Sequence, residues 1–298
     1  MQEAAQLADA LGKADLAAGF TIQAAVLKTA INAQLFNPRT GLYDVSDAQR
    51  GVADQLGNAK AVLYGVTAVP DQASVLQKLH AALYRTPTAP NATGPVPVQQ
   101  SSGSVQVGPF TSGFELWARF EAGDTAGALA LIRNEWGLMR QSSPYYSGGA
   151  WEYVALDGTP GLGEGTSLAH GWSSAPTSAL SKYVLGVRPV QPGYQTWLVE
   201  PRPGDLSWAA GTVPTPYGPI EVSWQNGAQG FRLEVCVPAG TCASVGVPVN
   251  AEGALLSDNG QTVNGVSPSN EPNGRASYLY LQGLKPGKHA VEVAGRKK

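Results

Sequence analysis

The sequence predicts a chain of mixed α and β structure, with helices over residues 1–188 followed by an antiparallel β-sandwich over residues 189–298. Before Pro189, apolar residues recur at spacings of three and four, which is the pattern of helices. After Pro189 they alternate in short runs separated by Pro and Gly, which is typical of a sandwich. A length of 298 residues is enough for two domains with their own cores.

Helical spacing marks seven segments in the first part: 4–11, 14–35, 56–66, 73–84, 114–120, 125–139 and 173–184. Asp15 and Asp124 stand near the starts of two segments and predict N-caps. Pro38 and Pro70 follow two others and predict their ends. Trp136 falls on a core-facing stripe, where packing is favoured over contact with a substrate.

The remaining segments are predicted as loops and strands. Segment 85–111 is rich in Pro, Ser, Thr and Gly, so it is predicted as one long loop, a kind of segment that is often functional. The linker RPVQPGYQ is short and stiff, so the two parts are expected to pack as one body. Strands are predicted at 196–199, 206–213, 218–225, 230–237, 242–247, 277–282 and 287–293.

Charge and hydropathy restrict the class of partner. Charged residues make up only 14% of the chain, against about 25% in typical soluble proteins. A net charge of −2 provides no positive cluster for nucleic acid or an anionic membrane. No apolar run is expected to reach the roughly 18 residues of a spanning helix, and the N-terminus lacks the pattern of a signal peptide. We expect a soluble protein without a nucleic-acid or membrane partner, in a compartment that stays unknown.

Two cysteines, Cys236 and Cys242, flank a turn in a stretch that alternates like a β-hairpin. Across such a turn the thiols would face each other, so a cross-strand disulfide is one interpretation, and it would indicate an oxidising compartment and secretion. Two buried free thiols are the other interpretation. The pattern favours neither.

The stretch 148–183 contains the residues on which the functional prediction depends. Trp151, Glu152, His170 and Trp172 place a carboxylate and an imidazole among aromatic rings, glycines and small hydroxyl residues. This mixture is typical of a site that processes sugars. His80 and His289 lie far from His170 in the sequence, so no metal site and no cofactor are predicted.

Several strings around this stretch resemble the α-L-rhamnosidases of glycoside hydrolase family 78. They are LFNPRTGLYD at 35–44, QLGNAKAVLYGV at 55–66, PFTSGFELWARFEAGD at 109–124, AWE at 150–152, SLAHGWSSAPTSAL at 167–180, KYVLGVRPVQPGY at 182–194 and GDLSWAAGTVPTPYGPIEVSW at 204–224. Their order and spacing extend the resemblance through nearly the whole chain.

The resemblance implies a partial (α/α)6 barrel followed by a C-terminal antiparallel β-sandwich. In the family the general acid lies in an acidic cluster ahead of the matched segments, and this sequence contains no counterpart to that region. The chain is therefore expected to be the C-terminal part of a longer enzyme, whose N-terminal half is a candidate partner. Glu152 matches the family's WE position, which implies the water-activating base of an inverting hydrolysis.

The resemblance also implies contacts to a rhamnose-containing substrate. His170 is expected to bind a sugar hydroxyl. Trp151 and Trp172 are expected either to pack against the sugar or to pack within the barrel. Glu115 is interpreted as a pocket-wall residue or as a helix N-terminal charge, and Asp54 and Asp157 are weaker carboxylate candidates for the acid.

Two functions of different class remain. The first is a glycosidase of the α-L-rhamnosidase type, and the second is a non-catalytic carbohydrate-binding or scaffold fragment of the same fold. Relatives with this barrel that act on other sugars are a third possibility. The scarcity of Arg and Lys near Glu152 argues mildly against a carboxylated substrate.

Overall fold

The computed structural model describes residues 1–101, 104–228, 230–249, 255–263, 267–269 and 277–294. Helices dominate the first part, and their bounds are α1 Gln2–Ala10, α2 Ala14–Leu35, α3 Gln55–Leu63, α4 Gln72–Leu83, α5 Pro109–Glu121, α6 Thr125–Glu135 and α7 Ala175–Ala179. A 3₁₀ turn, Trp136–Met139, continues α6, and a π-helical turn, Leu180–Val184, continues α7. Each helix predicted from the sequence is found.

The helix ends differ from the prediction in two places. The fifth helix begins at Pro109 rather than at residue 114, because proline is well suited to the first turn of a helix. Asp124 caps α6 as predicted, since its carboxylate accepts a hydrogen bond from the Gly127 N–H at 2.9 Å. The predicted cap at Asp15 is wrong, because Lys13 holds the cap position of α2 and Asp15 lies in its first turn.

Helices α3, α4 and α5 pack around one apolar cluster, which contains Val62, Leu76, Leu79 and Ala118. In contrast, α2 has no buried residue along its 22 positions. Hydrogen bonds near its C-terminal end attach it, as Asn32 donates to the Val66 carbonyl at 3.0 Å and accepts from the Tyr43 hydroxyl at 2.8 Å.

Helix α2 corrects the expectation that no segment is long and apolar enough to span a membrane. It meets that criterion by length and composition. The sequence pattern concealed it because Asp15, Lys28 and several amides interrupt the apolar positions. Its exposed apolar side chains include Leu16, Ile22, Val26 and Leu27.

Strands form short pairs in the first part and two larger sheets in the second. Their bounds are β1 Phe36–Asn37, β2 Leu42–Tyr43, β3 Tyr84–Arg85, β4 Val96–Pro97, β5 Gln99–Ser101, β6 Ser104–Val107, β7 Val154–Ala155, β8 Val187–Pro189, β9 Thr196–Val199, β10 Trp208–Val213, β11 Ile220–Gly227, β12 Gly230–Val237, β13 Cys242–Val249, β14 Leu255–Asp258, β15 Gln261–Thr262, β16 Ser267–Ser269, β17 Ser277–Leu284 and β18 Gly287–Ala294.

Segment 85–111 is not the single long loop that was predicted. It contains β4, β5 and β6, and it ends in the first turn of α5. Strand β4 pairs with β3, whereas β6 pairs with β5 and with β7. The short runs of Val and Gln have strand-forming character that the frequent Pro and Ser residues masked.

The two larger sheets have the orders β10-β11-β12-β18-β14-β15 and β16-β17-β13-β9-β8. Adjacent strands are antiparallel except β9 and β13, which are parallel. The seven predicted strands are found, whereas the short β8, β14, β15 and β16 were missed. The prediction of mixed helices and mainly antiparallel sheets is confirmed.

One hydrophobic cluster joins helices to both sheets. It contains Phe120 and Tyr183 from the helical part, Trp197 from β9, and Trp224 and Leu233 from the six-stranded sheet. The Trp224 indole N–H donates to the Val184 carbonyl at 3.0 Å. The boundary predicted between residues 188 and 189 falls inside β8, so residues on both sides of it share this core.

The predicted hairpin around Cys236 and Cys242 is wrong. Strand β12 pairs with β11 and β18, while β13 pairs with β9 and β17, so the chain crosses from one sheet to the other between the two cysteines. Both thiols are free. Alternation of apolar residues fits a hairpin and a crossing between sheets equally well, because each strand has one buried face in both cases.

Gly186 lies at the junction between the helical part and β8, where two backbone segments approach closely. Its φ is +89°, and a Cβ atom there would lie 2.4 Å from the carbonyl carbon of Glu200. The Gly186 carbonyl also accepts a hydrogen bond from the Glu200 N–H at 2.9 Å. Only glycine satisfies this position without displacing backbone.

Gly186→Ala is expected to destabilise the protein more than Gly12→Ala. Gly12 also has positive φ, but no atom lies within 4 Å of the place where its Cβ would be. Both variants carry the strain of the left-handed conformation, and the backbone clash adds about 1–3 kcal/mol at Gly186. Urea denaturation of both variants measures the difference, and equal losses of stability would contradict the close approach.

Candidate functional site

Two backbone segments run side by side and hold Glu152. The Glu152 N–H donates to the Ser167 carbonyl at 2.8 Å, and the His170 N–H donates to the Ala150 carbonyl at 2.7 Å. One oxygen of the Glu152 carboxylate accepts a hydrogen bond from the Ser167 N–H at 3.3 Å. The carboxylate is half-buried and anchored through one oxygen. Such a group is suited to accept a proton from water.

Trp151 points to the opposite side and is fully buried. Its indole N–H donates to the Ser147 hydroxyl at 3.2 Å, and its backbone N–H contacts the Met139 sulfur at 3.2 Å. The ring packs in a cluster with Val107, Leu138 and other apolar residues. Because successive side chains of an extended segment alternate in direction, burial of Trp151 leaves Glu152 on the open side. The geometry therefore favours packing over sugar contact for Trp151.

His170 and Trp172 lie on the open side near Glu152's segment. His170 is half-buried, and its ring centre lies 6.0 Å from that of Trp172 in an edge-on arrangement. Trp172 is 72% exposed, which is unusual for so large an apolar side chain. The structure thus places Glu152 and His170 on paired backbone segments, and the His170 ring contacts that of Trp172.

An aromatic groove adjoins Trp172, and sequence reasoning missed it. Phe110 lies 5.2 Å from Trp172, Phe114 lies 5.5 Å from Phe110, and Trp117 lies 5.5 Å from Phe114, all between ring centres. The Lys60 ammonium stands 4.5 Å from the centre of the Phe114 ring. The groove has a volume of about 600 Å³. The spacing 110, 114, 117 on one helix face was the available signal.

Glu115 lies inside the protein and not on the wall of a pocket. Its carboxylate is fully buried and accepts hydrogen bonds from Arg119 Nη2 at 2.6 Å, Gln55 Nε2 at 2.7 Å and the Tyr84 hydroxyl at 2.6 Å. Burial and the Glu115 charge raise the pKa of Tyr84 well above its usual range. Glu115 also sits in the second turn of α5 and not at its start. Neither predicted role, substrate contact or helix N-terminal charge, fits this position.

Arg119 extends the network of Glu115 to the next helix. Its guanidinium is nearly buried and also pairs with Asp124, the residue that caps α6. Burial opposes the charge on Arg119, but Glu115, Tyr84 and Asp124 together outweigh this effect and raise the pKa of Arg119. Opposite charges of Glu115 and Arg119 therefore persist in the interior as a pair.

Glu135 is a second buried carboxyl beside this network. Its side chain is fully buried, and neither oxygen has a hydrogen-bond partner of good geometry among the described residues, although the Ser112 hydroxyl lies nearby. Burial, reinforced by the negative charge of Glu115, raises the pKa of Glu135 well above its usual range. Burial of Glu135 therefore favours its neutral form in the folded protein.

The other carboxylates singled out in the sequence have local structural roles. Asp54 caps α3 by accepting from the Gly57 N–H at 2.7 Å. Asp157 accepts from the Thr159 hydroxyl at 2.7 Å and from the Thr159 N–H, and these bonds lower its pKa. Within the described ranges, no group of three or more His, Cys, Asp or Glu side chains is arranged to hold a metal ion.

Comparison with known proteins finds similarity to alpha-L-rhamnosidases. Residues 186–261 match the family described as bacterial alpha-L-rhamnosidase C-terminal domain. An alpha-L-rhamnosidase of Formosa agariphila is 29% identical over 132 aligned residues, covering 39% of this chain and 14% of that protein.

Two solved structures resemble most of the chain. The GH78 family rhamnosidase of Bacillus sp. GL1 is 28% identical with a TM-score of 0.62, covering 81% of this chain and 24% of that one. The alpha-L-rhamnosidase of Dictyoglumus thermophilum has a TM-score of 0.73 at 17% identity, covering 98% of this chain and 30% of that one, and this likeness concerns the fold. The chain spans less than a third of the length of each of these proteins.

Trp151→Ala and Trp172→Ala are expected to differ sharply in stability. Removing the fully buried Trp151 ring leaves a cavity and costs about 3–5 kcal/mol. Removing the exposed Trp172 ring is expected to cost less than about 1 kcal/mol. Chemical denaturation of the two variants measures both values. A large loss at Trp172 would show that the ring is packed in solution.

Glu135→Gln is expected to flatten the dependence of stability on pH. Because the native pKa of Glu135 lies above its unfolded value of about 4.3, the native state binds the extra proton. The stability that this group contributes is complete below that value and is lost as the pH rises toward the raised native pKa. Because Gln does not ionise, the stability of Glu135→Gln should fall less than that of the wild type between pH 5 and pH 8.

Urea denaturation at pH 5 and pH 8 measures this difference between the wild-type protein and Glu135→Gln. The matched control is Glu164→Gln, since Glu164 is exposed. Its pH dependence should equal that of the wild type. Parallel pH dependences for Glu135→Gln and the wild type would show that Glu135 is ionised in the folded protein.

Proposed function

We infer, from the premise that this chain is a relative of the α-L-rhamnosidases of glycoside hydrolase family 78, that it forms the C-terminal part of an inverting α-L-rhamnosidase. Its substrates are glycosides or oligosaccharides with a terminal α-L-rhamnosyl residue. The single observation that carries the proposal is the anchored, half-buried carboxylate of Glu152 beside His170 and Trp172.

Glu152 acts as the general base in this proposal. It takes a proton from a water molecule while the water oxygen bonds to the anomeric carbon and the glycosidic C–O bond breaks on the opposite face. A carboxylic acid protonates the leaving oxygen, and it is expected roughly 6.5–9.5 Å from Glu152. We place that acid on a part of the enzyme outside these 298 residues, because the acidic cluster of the family has no counterpart here.

His170 and Trp172 bind the sugar in this proposal. A half-buried imidazole can donate to a hydroxyl or accept from one. The exposed indole of Trp172 provides a flat apolar face for the ring or the methyl group of a deoxysugar. Trp151 and Glu115 support the site from within, since both are fully buried.

We interpret the helical part and the two larger sheets as two domains of such an enzyme. Residues 1–188 form part of an (α/α)6 barrel, and residues 189–298 form the C-terminal β-sandwich from the two larger sheets. Exposure of α2 supports this proposal, because Ile22, Val26 and Leu27 present apolar surface that further barrel helices would cover.

Glu152→Gln is expected to lower kcat by about 10²–10⁴-fold while changing KM little, because the amide cannot take the proton from water. Release of rhamnose from an aryl α-L-rhamnoside by a form extended with the upstream coding sequence measures this effect. Glu164→Gln is the matched control, since Glu164 is an exposed carboxylate in the same loop region. Full activity of the extended Glu152→Gln form would rule out the assignment of the base.

The same assay of the 298-residue chain tests whether the general acid lies on a part of the enzyme outside these residues. We expect no measurable turnover by the short form, because it lacks the general acid. Robust turnover would show that the acid lies within these residues. Inactivity of both forms would favour the second candidate, a non-catalytic carbohydrate-binding or scaffold fragment.

A further inference from the structure

The outer face of the six-stranded sheet carries three rows of side chains that cross four strands, β10, β11, β12 and β18. The register places in the middle row Ala210, Ser223, Glu234 and Ala290. One flanking row consists of Trp208, Gln225, Arg232 and Glu292, and the other consists of Thr212, Glu221, Cys236 and Lys288. The alternate residues of these strands, such as Val222, Leu233 and Val291, are buried in the core on the inner face.

Three of the four side chains in the middle row are short, whereas most of those in the flanking rows are long. A trough therefore runs across the strands. Two alanines and a serine form its floor, and the remaining member, Glu234, is drawn to the flanking row by Arg232, whose Nη2 donates to it at 2.8 Å. The cavity over this face has a volume of about 700 Å³ and is lined by the middle row and the row that begins at Thr212. It crosses three strand spacings and is therefore roughly 14 Å long. Asn259 and His289 close one end of it.

Trp208 lies on the edge strand β10 two residues before Ala210, borders the middle row on the side away from Thr212, and is 65% exposed. An exposed indole beside polar side chains offers a flat apolar face together with hydrogen-bonding groups. Those groups are both donors and acceptors: the Thr212 and Ser223 hydroxyls, the Gln225 amide and the Glu221 carboxylate.

We propose that this sheet trough is a second carbohydrate-binding site, which binds a neutral oligosaccharide chain lengthwise across the strands and stacks one sugar ring on Trp208. The proposal goes beyond the proposed hydrolytic function, because the trough lies on a different element from Glu152 and needs no catalytic group.

The charges of the trough favour an uncharged, hydroxyl-rich ligand. Arg232 is held by Glu234 and also pairs with Glu292, so its guanidinium is neutralised by two carboxylates. The three rows contain three carboxylates and two cations, which disfavours phosphates and polyuronates. A protein partner would need several apolar anchors, whereas the three rows provide one large apolar side chain, Trp208.

Affinity electrophoresis and calorimetry of the 298-residue chain with soluble rhamnan, galactomannan and xyloglucan test the proposal, with polygalacturonate as the charged comparison. We expect binding to at least one neutral polysaccharide. Trp208→Ala should weaken it at least tenfold, and Ser223→Tyr, which fills the middle row, should do the same. Leu255→Ala is the matched control, because Leu255 is an exposed apolar residue of the same sheet outside the three rows.

Three results would overturn the proposal: no binding to any neutral polysaccharide, tighter binding to polygalacturonate, or unchanged binding by both trough variants. Loss of galactomannan or xyloglucan binding in Trp172→Ala, with binding retained in Trp208→Ala, would assign the ligand to the first site. Because the assay measures binding without hydrolysis, its failure is distinct from failure of the proposed glycosidase activity.

Discussion

The buried ion pair between Glu115 and Arg119 fixes the helical part of the protein. Burying two charges is costly, and the cost is offset only when each charge has close partners. Here the carboxylate receives Gln55 from α3 and Tyr84 from β3, and the guanidinium reaches Asp124 at the start of α6. Four elements, α3, β3, α5 and α6, are thus held at one point. Any shift of α5 along its axis would leave a charge in the interior without a partner.

The position of α5 determines the surroundings of Glu152. The helix carries Phe110 and Phe114 toward Trp172, and strand β6 just before it pairs with β7, two residues after Glu152. From the other side, Met139 at the end of the α6 extension contacts the backbone of Trp151. The accessible residues of the candidate site therefore lie on loops, but each loop is attached to an element that the buried pair fixes.

The sequence predicted the helices and the longer strands because their apolar periods are long enough to be unambiguous. Its assignment of Glu152, His170 and Trp172 to a site stays a prediction, although the segments of Glu152 and His170 do pair in the structure. It misjudged Glu115, because a carboxylate early in a predicted helix looks exposed until the distant Gln55 and Tyr84 are seen to surround it. It misjudged the cysteines for a similar reason, since strand pairing between sheets depends on partners far away in the chain. Polar contacts across long sequence distances leave no periodic signal.

The parallel pairing of β9 with β13 has a consequence for the order of folding. Strands β10, β11 and β12 lie between them in the sequence but belong to the other sheet. An unfolded chain must therefore close a large loop before β9 and β13 can pair. The loss of conformational entropy in that closure comes before any stabilisation from the pairing. The hairpin of β11 and β12 needs no such closure. We therefore expect the β10-β11-β12 meander, whose strands pair with their neighbours in sequence, to form before the β9-β13 pair.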